Sequence, residues 1–204
     1  MAACAPQTES VSGCDRVASA EIAFTGGDAP DTVEARTFGP NCAHAVGVLV
    51  IRAPDGAPVW SWTAPLYPTF GAGFAPVQGA DVDAAVIQTF LGQWTQLAAS
   101  TTADAPAWAP DAPSPEGDAT AMLERAVYED VRARAAPMTC HLSSVGVETC
   151  VYWESAAAIA LPIVQRTRRD MAAAPAGRAP AIVQRAIEAA KAAPADAPAA
   201  TPER

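Results

Sequence analysis

The chain has only two histidines, His44 and His141, and each lies beside a cysteine, in Cys42-Ala43-His44 and in Cys140-His141. Zinc or thiol–imidazole chemistry would be sought first in such pairs. On a strand, Cys42 and His44 would share a face, whereas the neighbours Cys140 and His141 would point to opposite faces. The short spacers of a Cys2His2 site are missing, so disulfides and structural histidines are the simpler expectation. The same adjacency weighs against a Cys–His nucleophile pair, and no Gly-x-Ser-x-Gly elbow presents a serine. The 22 Asp and Glu residues supply carboxylates for glycoside hydrolysis, yet nothing singles out two of them. Gly26-Gly27 lacks the dinucleotide-binding pattern and reads as a turn. Asp28, Asp31, Asp81 and Asp83 lack the spaced loop of a calcium site and read as turn and cap residues. The expectation is a protein without catalytic residue, cofactor or metal.

The remaining chemistry belongs to the cysteines, of which there are five: Cys4, Cys14, Cys42, Cys140 and Cys150. The N-terminal run Met1-Ala2-Ala3-Cys4 resembles the end of a bacterial lipobox. In that motif two small residues precede the cysteine at which the signal peptide is cut. Leu usually precedes them, and a Leu codon used as a start would be written as Met1. The resemblance implies that Cys4 becomes a lipidated N-terminus and its lipid the only membrane contact. It also implies a periplasmic protein, anchored to the outer membrane. With Cys4 set aside, the odd total becomes an even set of four, suited to two disulfides in an oxidising compartment. Three pairings exist. Short loops close most readily, which favours Cys14–Cys42 with Cys140–Cys150.

Composition narrows the partners. The 204 residues carry a net charge of -9. That argues against nucleic acid, whose phosphates need a basic surface, and against electrostatic docking on anionic lipid. An envelope protein is compatible with it, a basic enzyme included. No run of 18 apolar residues is present to form a transmembrane helix.

These residues must be positioned by elements. Residues 5–13 read as a tether. Period-two alternation predicts strands over 20–24, 32–38 and 59–63, and a nearly continuous apolar β-branched run predicts a central strand over 46–51, joined to the one at 59–63 by Pro54-Asp55-Gly56 into a hairpin. A loop follows at 65–79. Four-residue spacing of Val82, Val86, Phe90 and Trp94 predicts a helix over 81–98, with Asp81 as N-cap. Residues 100–117 read as a linker holding Trp108. A second helix is expected over 118–135, with Leu123, Val127 and Val131 as its stripe and Pro137 as its stop. A hairpin over 138–153 would place Cys140 opposite Cys150. Residues 155–171 look helical at their end but are interrupted by Pro162. Residues 172–204 are an Ala/Pro-rich tail, disordered or partly helical around Ile182, Val183 and Ile187. The expected class is therefore α+β for a single domain over 14–171: an antiparallel sheet built from hairpins, packed against two or three helices.

Trp60, Trp62, Tyr67, Phe70 and Phe74 lie within fifteen residues. They suit either an exposed contact surface for a sugar or partner, or a sheet face packed beneath the helices. The core role is the expectation for tryptophans sharing a strand face. The functional expectation is a non-enzymatic envelope lipoprotein with a binding or structural role. A protruding acidic and aromatic loop would favour a binder of a basic periplasmic enzyme, similar in setting to the lipid-anchored lysozyme inhibitors. A concave cleft with two close carboxylates would favour a cell-wall hydrolase.

Overall fold

A computed structural model describes residues 13–75 and 81–168. The tether up to residue 12, the lipobox-like run and the tail over 172–204 lie outside the described residues. The protein is α+β, but its strands form two antiparallel sheets where the sequence suggested one.

The first sheet is a meander of β1 (Arg16–Ile22), β2 (Asp31–Phe38), β3 (Val46–Arg52) and β4 (Pro58–Pro65), in that order. Its alternation holds: Val33, Ala35, Leu49 and Ile51 are buried, while Glu34, Arg36, Val48 and Val50 between them are partly exposed. The hairpin of β3 and β4 pairs Leu49 with Trp62 and Ile51 with Trp60, which brings both tryptophans to the buried face. Over β1 and β2 that face is covered by α2 (Ala84–Trp94), preceded by the one-turn helix α1 (Leu66–Phe70). Asp83, not Asp81, caps α2, accepting a hydrogen bond from Ala85 N at 2.8 Å. The predicted start came two residues too early because both aspartates precede the apolar stripe.

The second sheet runs, from edge to edge, β5 (Ala99–Thr101), β7 (Pro137–Ser144), β8 (Val147–Glu154), β9 (Ile159–Thr167) and β6 (Ala119–Ala121). Its centre is the hairpin of β7 (Pro137–Ser144) and β8 (Val147–Glu154), as the cysteine symmetry suggested. The rest departs from expectation. The 100–117 segment opens in β5 (Ala99–Thr101), which pairs with β7. The helix expected over 118–135 is limited to α3 (Arg125–Ala133), because β6 (Ala119–Ala121) pairs with β9. On α3 the buried residues are Tyr128 and Val131, whereas Val127 is half exposed. The stripe is thus turned by one residue: the ring of Tyr128 packs against Trp108, 5.6 Å away, and its hydroxyl donates to Pro106 O. The end of 155–171 is the strand β9 (Ile159–Thr167) rather than a helix. Pro162 is accommodated by an irregularity in register: Cys150 faces Val164 while Val151 faces Pro162, so Ile163 is the extra residue of a bulge.

Two apolar clusters result. The larger joins both sheets, with Val33, Leu49 and Ile51 of the first packed with Leu142, Val151 and Ala160 of the second. The smaller lies on the other side of the second sheet, where Tyr128 and Val131 meet Met138, Tyr152, Ile163 and Val164.

Candidate functional site

The cysteines pair as loop closure favoured, Cys14 with Cys42 and Cys140 with Cys150. The first disulfide is buried. It ties the start of β1 to the 3-10 turn at Cys42–His44, whose Cys42 and Ala43 N–H groups donate to the Asp81 carboxylate at 2.9 and 2.8 Å. Some loss of hydration opposes the charge on Asp81, but these donors and Val82 N–H outweigh it and hold its pKa below the ordinary carboxylate value. The second disulfide is a rung between directly opposed residues of β7 and β8. Cys150 is buried and Cys140 only partly so. With all four sulfurs bonded, these cysteines have no thiolate to offer a metal or a substrate.

The aromatic residues divide. Phe70 is fully buried, its ring 5.0 Å from Phe90 and 5.6 Å from Trp94. Trp62 meets Trp94 edge-on at 5.5 Å, Phe74 is buried like Phe70, and Tyr67 alone of the five is exposed. They do not form one exposed contact surface: the helices that follow the hairpin need its apolar face, and the rings of Trp62 and Phe70 fill it. Gly47 shows how close the packing is, since a Cβ there would lie 2.7 Å from Leu66 Cδ2 and 3.2 Å from Trp94 Cζ3.

Two indole N–H groups reach from this cluster to β7. Trp94 Nε1 donates to Leu142 O at 3.0 Å and Trp60 Nε1 to His141 Nε2 at 3.2 Å. An indole N–H can only donate, so His141 Nε2 must be unprotonated and the imidazole proton sits on Nδ1, 3.3 Å from Leu142 O. Burial drives the His141 pKa down to about 4. A neutral imidazole with both nitrogens held is a structural bridge between the sheets. His44 is exposed and its Nδ1 lies 2.7 Å from Asn41 Oδ1.

The candidate site is a cleft on the outer face of the second sheet, beyond the reach of α3. Met138 and Cys140 of β7, Glu148 of β8 and Arg166 of β9 line it, with Arg168 just past the strand. Within each strand they are alternate residues, which pleating turns to one face. The wall is Gln96 and Ala98 of the connection from α2 to β5 with Ser100 of β5 itself, and Asp104 stands at the rim. This part has a volume of about 250 Å3. A smaller depression of about 90 Å3 shares Gln96, Cys140, Glu148 and Arg168 with it and adds Gln93, Trp94, Leu97 and Leu142.

The charges are arranged asymmetrically. Glu148 accepts from Arg166 Nε through Oε2 and from Arg168 Nη1 through Oε1, each at 3.0 Å. Its side chain is 11% exposed, while each arginine keeps 41%. Asp104 spends its Oδ2 on Thr101 N and Oγ1, both at 2.9 Å. Gln93 Oε1 is buried without a hydrogen-bond partner, the only such side-chain atom among the described residues. None of these residues stood out in the sequence. The helical reading of 155–171 put Arg166 and Arg168 on different sides of a helix; two-residue spacing on a strand would have shown them together.

No protein family, curated protein or solved structure matches the chain.

Proposed function

We propose that this protein is a non-enzymatic binding module of the bacterial cell envelope, braced by two disulfides and held at the outer membrane by a lipid on Cys4. The observation that carries the reading is the pairing of every other cysteine. Cys14–Cys42 and Cys140–Cys150 leave Cys4 as the one cysteine outside the two bonds. Such bonds persist in oxidising compartments and are rare in reducing ones. Binding is favoured over hydrolysis because the groups that catalysis would use are committed elsewhere. His141 bridges the sheets as a neutral base, and Glu148 in the cleft is neutralised by two arginines. A general acid or base has to exchange its proton with substrate, and neither group is placed to do so.

The reading is tested by expressing the gene with its native upstream DNA in a bacterial host and analysing the mature N-terminal peptide by mass spectrometry. The expected result is a diacylglyceryl-modified Cys4 at the N-terminus, and release of the Cys4→Ala protein from the membrane fraction. An unmodified Cys4 peptide would overturn the anchor. Two reduced pairs in protein taken directly from cells would overturn the compartment.

A further inference from the structure

We propose that a groove between the 106–118 loop and the start of α3 receives a lysine or arginine side chain of a basic partner protein. This rests on reading the chain as a binding module and is independent of the anchor on Cys4.

The groove lies at the margin of the second sheet, where β6 is the edge strand. Its apolar lining is Trp108 and Pro113 of the loop, Ala121 of β6 and Leu123. Ser114, Thr120, Glu124 and Arg125 complete it, and its volume is about 340 Å3. The indole wall is fixed in place. Trp108 Nε1 donates to Ala112 O at 2.8 Å and the ring meets Tyr128 edge-on, yet Trp108 stays partly exposed. A contact surface already held rigid loses little entropy when a partner arrives.

Glu124 gives the groove its preference for a cation. It stands at the N-cap of α3 without making a capping hydrogen bond, and it is exposed. Its carboxylate has no hydrogen bond or ion pair among the described residues. Arg125, the one cation in the lining, is engaged elsewhere: Nε donates to Glu129 at 2.9 Å and Nη1 to Pro110 O at 2.7 Å. The charges of Arg125 and Glu129 cancel, and that of Glu124 is left over. The loop adds to the same sign. Residues 106–124 contain Asp111, Glu116, Asp118 and Glu124 but no Lys, Arg or His. Asp118 holds an interaction of its own, whereas the carboxylates of Asp111 and Glu116 have none among the described residues.

A lysine or arginine side chain pairs an apolar stem with a charged head. The stem matches Trp108, Pro113 and Leu123, and the head matches Glu124. A bare metal ion would leave the apolar wall unused, and an aliphatic side chain would leave the carboxylate unused. The chain itself makes a contact of this kind, with the Arg125 guanidinium over the Trp108 ring at 5.5 Å. Met122 and Val127, on either side of Leu123 and Glu124 in the chain, are 46% and 50% exposed. They offer apolar surface that a protein would cover and a small amine would not. The net charge of -9 draws a basic protein toward this surface over longer range.

The experiment is an NMR titration of the full-length, oxidised protein with three probes. They are a blocked pentapeptide, alanyl-lysyl-leucyl-lysyl-alanine, the same peptide with glutamine for both lysines, and the neutral sugar diacetylchitobiose. With the lysine peptide, saturable shifts are expected at the Trp108 indole N–H and at the backbone signals of Ser114, Leu123 and Glu124. Binding should weaken about tenfold between about 20 and about 500 mM salt. The glutamine peptide should bind about tenfold more weakly, and Glu124→Gln should weaken the lysine peptide about three- to fivefold. Equal binding of the two peptides, or no saturable shift by about 10 mM peptide, would overturn the proposal. So would saturation by the sugar in preference to the lysine peptide, or shifts at the groove that follow protein concentration alone and so mark a second copy. The two peptides differ in charge and meet the unmodified protein, so the outcome does not depend on a variant folding. A groove that fails this test leaves the lipid on Cys4 standing, and an unmodified Cys4 leaves the groove standing.

Discussion

The two sheets use their faces differently. The first buries one face: its inner side packs under α2 and against the second sheet, and its outer side is partly or fully exposed. The second is used on both sides, with Val151 and Ala160 turned into the larger cluster and Met138, Tyr152 and Val164 into the smaller one. The disulfides follow the same division. Cys14–Cys42 closes the buried margin of the first sheet, whereas Cys140–Cys150 crosses the second sheet at the edge of an open cleft. The lesson is a division of labour: the first sheet supplies an apolar platform, and the second can spend part of its outer face on arginines and a glutamate because its inner face already rests on that platform.

The strongest challenge to this comparison is Phe70→Ala. Phe70 lies among Trp62, Phe74, Phe90 and Trp94. Its truncation is expected to cost about 3–5 kcal/mol, measured by denaturant unfolding. A cost below about 1 kcal/mol would mean that this aromatic cluster is not what holds the platform together.

Next in size come the disulfides, replaced as Cys14→Ala/Cys42→Ala and Cys140→Ala/Cys150→Ala. Their sequence separations are 28 and 10. Loop-closure entropy gives losses of about 3.6 and 2.8 kcal/mol, the longer loop losing more. Under a mild reductant the order should invert in rate. Cys140 is reachable from the cleft and Cys14–Cys42 is buried, so mass spectrometry should find the 140–150 pair reduced first. Reduction of Cys14–Cys42 first would remove the contrast between the two margins.

The smallest effect concerns the bridge between the sheets. His141 has a folded pKa of about 4, below the ordinary 6.5. At pH 7 it is neutral in the folded chain and mostly neutral in the unfolded one, so it contributes little to pH dependence there. Between pH 6.5 and 4 the unfolded chain takes up the proton and the folded one does not, so stability falls with falling pH, by about 2 kcal/mol at pH 5. Protonating Nε2 would also remove the acceptor used by Trp60 Nε1. Carboxylates such as Asp15 and Glu154, held low by their Arg36 and Arg134 partners, add a loss of the same sign. The imidazole is isolated by comparison with His141→Phe, whose stability should decline less steeply between pH 7 and 5. Parallel curves would show that the bridge is not titrating.

What the sequence determined by itself were the features carried by local spacing. The four strands of the first sheet pair with their chain neighbours and bury one face: alternation marked β2 and β4, a continuous apolar run marked β3, and β1 was caught only at its end, since it runs over Arg16–Ile22 where alternation pointed to 20–24. The 138–153 hairpin and both cysteine pairings were also legible, because short loops bring those residues together. Helix α2 was legible through Phe90 and Trp94, though its cap lay at Asp83. The tertiary structure alone decided the rest. β5 and β6 have three residues each, too few to show a period, and exist because β7 and β9 offer them hydrogen-bonding edges. β9 is buried on two sides with a bulge beside Pro162, which erases alternation and imitates a broken helix. Phe70 was an ambiguous aromatic in sequence and became core only when α2 and the first sheet closed around it. The cleft was hidden for the same reason. Glu148 meets Arg166 and Arg168 only because β8 pairs with β9, and only the packing of α2 beside the second sheet adds Gln93.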